Sequence, residues 1–258
     1  LEHLDAATLE EFQAFNKKFY IPNNAVLIIA GDFEKEKTKK MIKDYFGPIP
    51  KGTPIERNFP KEEPITEEFK AKAYDANIQI PAIVAAYRTP SFTTRDARVL
   101  DMISTYLSSG NSSKLYKKLV DDKKMALAVQ AVNLSQEDYG IYALFALPLG
   151  ETTLDALVNE FDVEIEKLQT ELISEKDHQK LLNQFENQFV NANATIEGVA
   201  ASLGNYYLLY DDTSLINSEI DLYRSITREE IKEVSNTYLK KNQRLLIEYL
   251  PKDKADSK

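Results

Sequence analysis

The 258-residue chain contains no cysteine and no tryptophan, and it has only two histidines, His3 and His178. Without cysteine, a disulfide bond or a thiolate metal site cannot form. Two histidines without a neighbouring histidine at helical spacing provide little for a histidine-based metal centre. These absences exclude disulfide scaffolds and leave the cellular compartment open.

Long apolar runs and an excess of positive charge are also missing. No stretch of 18 apolar residues occurs, so no transmembrane helix is predicted. The net charge of −9 argues against a nucleic-acid partner and favours a role in solubility. The opening Leu1-Glu2-His3 is neither a basic nor an apolar leader, although a leader further upstream stays open.

Apolar residues make up 43% of the chain, with 14 Tyr and 12 Phe, enough for a sizeable core. Thr8 and Glu11 form a capping box that predicts a helix with a phenylalanine stripe, ended by Pro22. The apolar run 25–30 predicts a buried strand. A second helix is expected over Lys35 to Phe46.

Five of the ten prolines then fall between residues 48 and 64, which predicts a semi-extended linker. We therefore divide the chain into three parts. Residues 48–65 are expected to be the Pro-rich linker. On the basis of the internal repeat described below, residues 1–47 are expected to be the incomplete C-terminal end of a first αβ repeat, and residues 66–258 a complete second αβ repeat that binds no metal.

The part after the linker alternates strand and helix patterns. Strands are predicted over 69–73, 78–87, 126–134, 139–147 and 244–250, and helices over 93–108, 111–121, 154–168, 174–189 and 199–209 and from Thr227 onward. Pro81 suggests an edge strand or a bulge. This order predicts an α+β fold with a mostly antiparallel sheet covered by helices.

An internal repeat is the most informative feature of the sequence. Residues 8–28 align with 227–247 without a gap, at an offset of 219 (227 − 8). The capping residues, the apolar stripe of the helix, one asparagine and the apolar residues of the expected strand match in turn. This order favours duplication over chance similarity of two helix–strand units. In the second copy this unit closes a domain that begins near Thr66, so on the order of 150 residues of the first copy are expected upstream of Leu1.

Three segments carry a family resemblance. Phe15 to Asp32 and Tyr45 to Pro50 resemble the end of the first repeat of insulinase/pitrilysin-type (inverzincin) zinc metallopeptidases. Gly110 to Leu119 resembles the small-residue turn and helix of the second repeat in that family. The resemblance covers nearly the whole chain and rests on the order and spacing of these segments.

The resemblance implies a duplicated αβ architecture of the LuxS/metallopeptidase-like type, in which two similar domains enclose a chamber. The family binds zinc through an H-x-x-E-H helix in the first repeat and holds a peptide as an added strand on a sheet edge. That motif is absent here. Glu2-His3 could be its tail, but Thr8 already opens the helix that closes the repeat, so His3 is expected to be solvated, and His178 is expected at the surface.

The resemblance also assigns candidate residues for contact with substrate. Family members place an Arg and, seven residues on, a Tyr where Val120 and Leu127 lie in this chain, within the segment that contains Gly110 and Ser113. Neither Val120 nor Leu127 can donate a hydrogen bond to a polarised carbonyl. Either the parent is inactive, or another subunit supplies the pair, or the alignment register is shifted.

Three functions follow as expectations. The full-length parent is a zinc endopeptidase acting on peptides or unfolded segments, together with a second family subunit or as a homodimer. Alternatively the chain is a non-catalytic scaffold subunit, or a peptide-binding module. This chain itself is expected to hold no catalytic residue and no metal, with zinc confined to the parent, and the resemblance suggests a periplasmic or secreted bacterial protein.

Overall fold

In the computed structural model, residues 2–60 and 63–252 are described, and they fall into two compact units. The smaller unit comprises the described residues within Leu1–Glu62 and Val190–Ile216. The larger unit comprises those within Glu63–Phe189 and Asn217–Lys258. Each unit is treated by itself below.

The larger unit is built on one five-stranded sheet. Its strands are β1 (Phe69–Asp75), β2 (Ala82–Pro90), β3 (Ala126–Leu134), β4 (Tyr139–Pro148) and β5 (Arg244–Pro251). Their order across the sheet is β1-β5-β2-β4-β3. Only β1 and β5 are parallel, and the other three neighbouring pairs are antiparallel. The predicted mostly antiparallel α+β sheet is confirmed, with its last strand inserted between the first two.

Helices α4 (Arg95–Ser108), α5 (Leu154–Thr170) and α9 (Arg228–Tyr238) pack against this sheet and against one another. Their apolar residues meet the buried side chains of the strands in one cluster. It includes Ile83, Tyr87, Leu100, Ile103, Leu107, Tyr142, Leu144, Leu157, Phe161, Ile231 and Val234. Burial of this size is the main favourable term that holds the unit together.

Side-chain caps begin most of the helices where the sequence predicts them. Thr153 and Thr227 each accept a hydrogen bond from a backbone N–H of the first helical turn. Ser174 does the same for α6 (Glu175–Ala192). The cap of α4 is Thr94, one residue after position 93, where the sequence predicted the helix to begin. These caps satisfy donors that the helix cannot pair internally.

The cap of α9 also ties two helices together. Glu230 accepts from the backbone N–H of Thr227, and it pairs with Arg95 at 2.5 Å from Nε to Oε1. The hydrogen bond from Arg95 is the main cause that lowers the pKa of Glu230 from 4.5 to about 2. A carboxylate whose pKa is depressed by folding stabilises the folded state above its unfolded pKa and loses that contribution as the pH falls.

We therefore expect the free energy of unfolding to fall between about pH 4.5 and about pH 2, in part through Glu230. In Glu230→Gln this part of the pH dependence should be absent, so the stability curve should be flatter in acid. Urea unfolding at several pH values in this window measures it. Glu229→Gln removes a carboxylate from the same helical turn without touching Arg95 and should keep the wild-type slope. Equal slopes in both variants would contradict the prediction.

The smaller unit contains α1 (Glu2–Asp5), α2 (Leu9–Phe19), α3 (Lys35–Phe46) and α7 (Ile196–Tyr210). Helix α8 (Leu215–Arg224), which the sequence patterns did not predict, begins in this unit and ends in the larger one. Asn23 and Gly52 exchange two hydrogen bonds, and a Cβ on Gly52 would lie 2.6 Å from the buried Ile21. The Pro-rich segment therefore contacts Ile21 at Gly52, where a side chain would be too close.

Three expectations are corrected. Residues 25–30 form no strand with any described residue, since a strand requires a pairing partner and none is present. Pro81 lies directly before β2, which is an internal strand and not an edge strand or a bulge. The helix expected over 111–121 is a short turn followed by a π-helix over Tyr116–Asp122. No helix within residues 2–60 and 63–252 is long and apolar enough to cross a membrane.

Candidate functional site

Strand β3 is an outer strand of the sheet, since its only strand partner among the described residues is β4. Such an edge is where an added peptide strand would pair. At its centre, however, the N–H of Ala131 donates to Ser108 Oγ at 2.7 Å, and Ser108 Oγ donates to the C=O of Ala131 at 3.0 Å. Both outward backbone groups of Ala131 are therefore occupied by the end of α4.

A second contact joins the same strand to the same helix. The side-chain amide of Asn133 donates to the C=O of Ala97 at 3.1 Å and to Asp101 Oδ1 at 2.8 Å. Tyr223 donates to the other oxygen of Asp101 at 3.2 Å. Burial raises the pKa of Asp101, and these hydrogen bonds only partly offset it. Helix α4 thus covers the outer edge of β3 through hydrogen bonds at Ala131 and Asn133.

We expect Ser108→Ala to destabilise the larger unit by about 1–3 kcal/mol, because it leaves the N–H and C=O of the buried Ala131 without partners. Urea unfolding at neutral pH measures the change. Ser104→Ala is the matched control on the same helix. Its Oγ donates only to the C=O of Asp101, so its loss should cost less than about 0.5 kcal/mol. A similar cost for both variants would show that Ser108 does not seal the strand.

Of the four residues that the resemblance assigned to substrate contact, three lie in the connection from α4 to β3 and Leu127 lies at the start of β3. Gly110 is exposed in a turn with φ of 77°, where glycine is favoured. Ser113 is buried, and its Oγ has no hydrogen-bond partner among the described residues. Val120 packs against the core from the π-helix, and Leu127 is exposed near the start of β3. They share one segment, and their role in substrate contact stays a prediction.

Ion pairs hold this segment to helix α5. Lys118 bonds to Glu164 at 2.6 Å and to Glu160 at 2.9 Å, and Lys123 also pairs with Glu160. Burial by itself would raise the pKa of Glu164, but hydrogen bonds from Lys118 and Lys167 lower it. The π-helix carries a backbone bond from Lys123 N–H to the C=O of Lys118, five residues back. π-Helical turns are frequent at functional sites. In this one, the ion pairs of Lys118 and Lys123 hold the turn to α5.

A buried charge cluster, made of Arg244, Glu68, Asp162 and Tyr87, was missed by the sequence analysis. Arg244 begins β5 and is 1% exposed. It pairs with Glu68 at 2.7 Å and with both carboxylate oxygens of Asp162, and Tyr87 Oη accepts from it at 3.4 Å. The only sequence signal for this cluster was an arginine at the start of an apolar strand. The cluster joins β2, β5 and α5.

The described residues do not fit a zinc ion. No group of three or more His, Asp or Glu side chains within residues 2–60 and 63–252 is placed to hold a metal. His3 is exposed in α1. His178 is partly buried, not at the surface as expected, and its Nε2 lies 2.8 Å from the C=O of Ile226. Nε2 of His178 is therefore engaged by the backbone.

Comparison with known proteins assigns the family. Residues 6–185, well over half of the chain, match the family described as the peptidase M16 inactive domain. The chain belongs to the peptidase M16 family. The resemblance to insulinase-type metallopeptidases is thus confirmed, and the matching M16 domain is one described as inactive.

Among curated proteins, the zinc protease PqqE of Helicobacter pylori is 24% identical over 238 residues. That alignment covers 92% of this M16 chain but 53% of PqqE, so the chain spans about half the length of that relative. A protease structure from H. pylori superposes with a TM-score of 0.88 at 22% identity, over 96% of this chain and 60% of that one. The structure of the periplasmic protease PqqL of Escherichia coli superposes with a TM-score of 0.65 at 17% identity. That superposition covers 86% of this chain and 25% of PqqL.

These likenesses establish the fold and the membership of a zinc-protease family. At identities below 25%, the structural neighbours carry no further assignment of activity. The geometry adds two facts for this M16 chain. One sheet edge is sealed by its own helix, and ion pairs hold the residues of the α4–β3 connection to α5.

Proposed function

We propose that this chain is the C-terminal part of a zinc metalloendopeptidase and forms the half that does not bind the metal. The observation that carries this is the alignment with a zinc protease over nine tenths of this chain and about half of that protein. The match to a domain described as inactive supports a non-catalytic role for this half of the parent. The zinc ion of the parent would lie outside the residues of this chain.

In this proposal the full-length parent hydrolyses peptides or unfolded segments inside a two-lobed chamber, and this chain forms part of that chamber. Peptide pairing along the middle of β3 is not part of it, because Ser108 occupies the backbone groups of Ala131. Instead, the exposed Leu127 and the half-buried Val120 provide apolar contact at the α4–β3 connection. Apolar contact of this kind selects for unfolded segments more than for a defined sequence.

A partner subunit belongs to the same proposal. Val120 and Leu127 are apolar where the family places an Arg and a Tyr, so a different family subunit would supply those donors. A homodimer is the other assembly proposed, and it would not supply them. A periplasmic or secreted location is also proposed, and the name of PqqL as a periplasmic protease supports it. The second candidate function is a non-catalytic scaffold, which the description of the matched domain as inactive favours.

The test is peptide hydrolysis by the full-length polypeptide that contains this chain, with and without a zinc chelator, beside the 258-residue chain alone. We expect chelator-sensitive cleavage by the full-length protein, alone or with its partner subunit, and none by the chain alone. Zinc content measured on the same samples should be about one per full-length chain. A full-length protein without zinc and without cleavage, in the presence of candidate partner subunits, would favour the scaffold. Chelator-sensitive cleavage by the isolated chain would overturn the proposal.

A further inference from the structure

The two outer strands of the sheet in the larger unit have different edges. The edge of β3 is covered, since Ser108 occupies both outward backbone groups of Ala131. Strand β1 forms the other edge, and its only strand partner among the described residues is β5. Helices α4, α5 and α9 make their main contacts with β2, β3 and β4. The β1 edge is therefore a candidate for pairing with a further strand.

The pairing of β1 with β5 decides which of its backbone groups point outward. The C=O of Asp75 accepts from the N–H of Lys252 at 2.9 Å, so the backbone of Asp75 faces β5. Successive residues of a strand direct their backbone groups to opposite sides, so those of Lys70, Lys72 and Tyr74 face away from β5. No described residue bonds to these outward N–H and C=O groups. Three donors and three acceptors are thus available along the edge.

The side chains of β1 form two rows of different character. Lys70 and Lys72 lie on one face, with their side chains 66% and 58% exposed. Phe69, Ala71 and Ala73 lie on the other face, where Phe69 is 63% exposed and the two alanines are partly exposed. A strand beside β1 would therefore meet a basic row on one face and an apolar row on the other.

The counter-charges of the two lysines are shared or exposed. Lys70 lies 3.6 Å from one oxygen of Glu68, whose other oxygen binds the buried Arg244 at 2.7 Å. Lys72 lies 3.2 Å from Glu248 on β5, which is itself 34% exposed. Exposed pairs of this kind contribute little, so both ammonium groups can accept a carboxylate from another chain. Edge lysines oppose indiscriminate strand pairing, and they favour a strand with carboxylates opposite them.

We propose that β1 is a docking edge for an extended acidic segment of another protein, in which carboxylate side chains alternate with apolar ones. The segment would pair with the outward backbone groups of Lys70, Lys72 and Tyr74. Its carboxylates would lie beside the two lysines, and its apolar side chains would extend the row that begins at Phe69. This interaction requires neither zinc nor cleavage, so it does not depend on the proposed peptidase function.

A second copy of this chain is a poorer occupant. In an antiparallel β1–β1 pair centred on Ala71, Lys70 of each copy would lie opposite Lys72 of the other. In a pair centred on Lys72, the two Lys72 side chains would lie opposite each other. Like charges directly opposite destabilise a pair of strands. The charge of the edge therefore selects an acidic occupant over a copy of itself.

Two labelled peptides of about ten residues test the charge preference. One alternates Glu with Val and the other alternates Lys with Val, so they share strand propensity and differ in charge. By fluorescence anisotropy at low ionic strength, the Glu–Val peptide should bind the 258-residue chain more tightly by roughly 10-fold or more. The same order is expected for the full-length polypeptide with a zinc chelator, which prevents cleavage of the probe. No binding of the Glu–Val peptide, or equal binding of both, would overturn the proposal.

A pair of double variants tests the residues. Lys70→Glu combined with Lys72→Glu should weaken binding of the Glu–Val peptide by roughly 10-fold or more and strengthen binding of the Lys–Val peptide. Lys117→Glu combined with Lys176→Glu is the matched control, since it changes the net charge equally at two exposed lysines outside β1. The control should keep the wild-type preference. Equal losses in both double variants would show that net charge, and not the edge, governs binding.

Amide hydrogen exchange, followed residue by residue with NMR, tests the position of the added strand. With saturating Glu–Val peptide, the amides of Lys70, Lys72 and Tyr74 should slow by roughly 10-fold or more. Those of Ala71 and Ala73, which already face β5, should change little. Slower exchange at β3 with none at β1 would refute the proposed edge. So would protection of β1 without peptide that rises with protein concentration, since a second copy would then be the occupant.

Discussion

Arg244→Ala is expected to destabilise the larger unit by about 3–5 kcal/mol, the cost of removing one partner from a buried ion pair. Arg244 is almost completely buried between Glu68 and Asp162. Without the guanidinium, both carboxylates lose the buried cation that they share. Urea unfolding monitored by circular dichroism measures the loss.

Lys241→Ala is the matched control for this prediction. Lys241 pairs with the same carboxylate, Asp162, at 3.1 Å, but its own side chain is 70% exposed. Exposed pairs contribute little, so its removal should cost less than about 1 kcal/mol. Arg244→Lys should fall between the two, because an ammonium keeps the charge but cannot bond two carboxylates through a planar fork. If Arg244→Ala costs no more than Lys241→Ala, the cluster does not hold the strands to α5.

Phe161→Ala is expected to have an effect of similar size, about 3–5 kcal/mol, because it opens a cavity in the core. Phe161 lies on α5, is fully buried, and belongs to the cluster between the sheet and helices α4, α5 and α9. A close-packed interior can only partly collapse around such a void. The midpoint of urea unfolding should fall while its slope stays near the wild-type value.

Val163→Ala on the same helix is the control for Phe161→Ala. Val163 is exposed, so its truncation removes little buried area and places a better helix former on the surface. A change within about 0.5 kcal/mol is expected. A small loss in both variants would mean that α5 is not an essential layer of the core. An unchanged midpoint for Phe161→Ala with a lower slope would instead indicate an altered unfolded state.

Much of the fold could be predicted because its signals are local. The capping residues Thr8, Thr153, Ser174 and Thr227 begin helices where expected, since a cap needs only a side-chain oxygen and the next turn of backbone. Alternation over residues 69–73 and apolar runs elsewhere placed all five strands of the larger unit. Helix α8 escaped prediction, and it has no buried residue to mark one face.

The candidate site was less predictable. Its segment, Gly110 to Leu127, was located through the family resemblance, but the sealing of β3 by Ser108 was not foreseen. Ser108 and Ala131 are 23 residues apart, and no local pattern relates a serine at a helix end to a strand backbone. The cluster around Arg244 likewise joins residues that are 82 to 176 positions apart. Contacts of this range depend on the packing of complete elements.

By itself, the sequence determined most of the local elements, the α+β class and the likeness of two segments that each begin with a capped helix, because each of these depends on neighbours within a few turns or on direct comparison of two segments. Only the tertiary structure decided the fate of the two copies. Residues 244–251 became an internal strand because β1 and β2 are available on either side, whereas residues 25–30, with a similar sequence, have no strand partner in the part of the chain that the structure describes. A strand is defined by its partners, so the same pattern is buried or exposed according to what the rest of the chain provides.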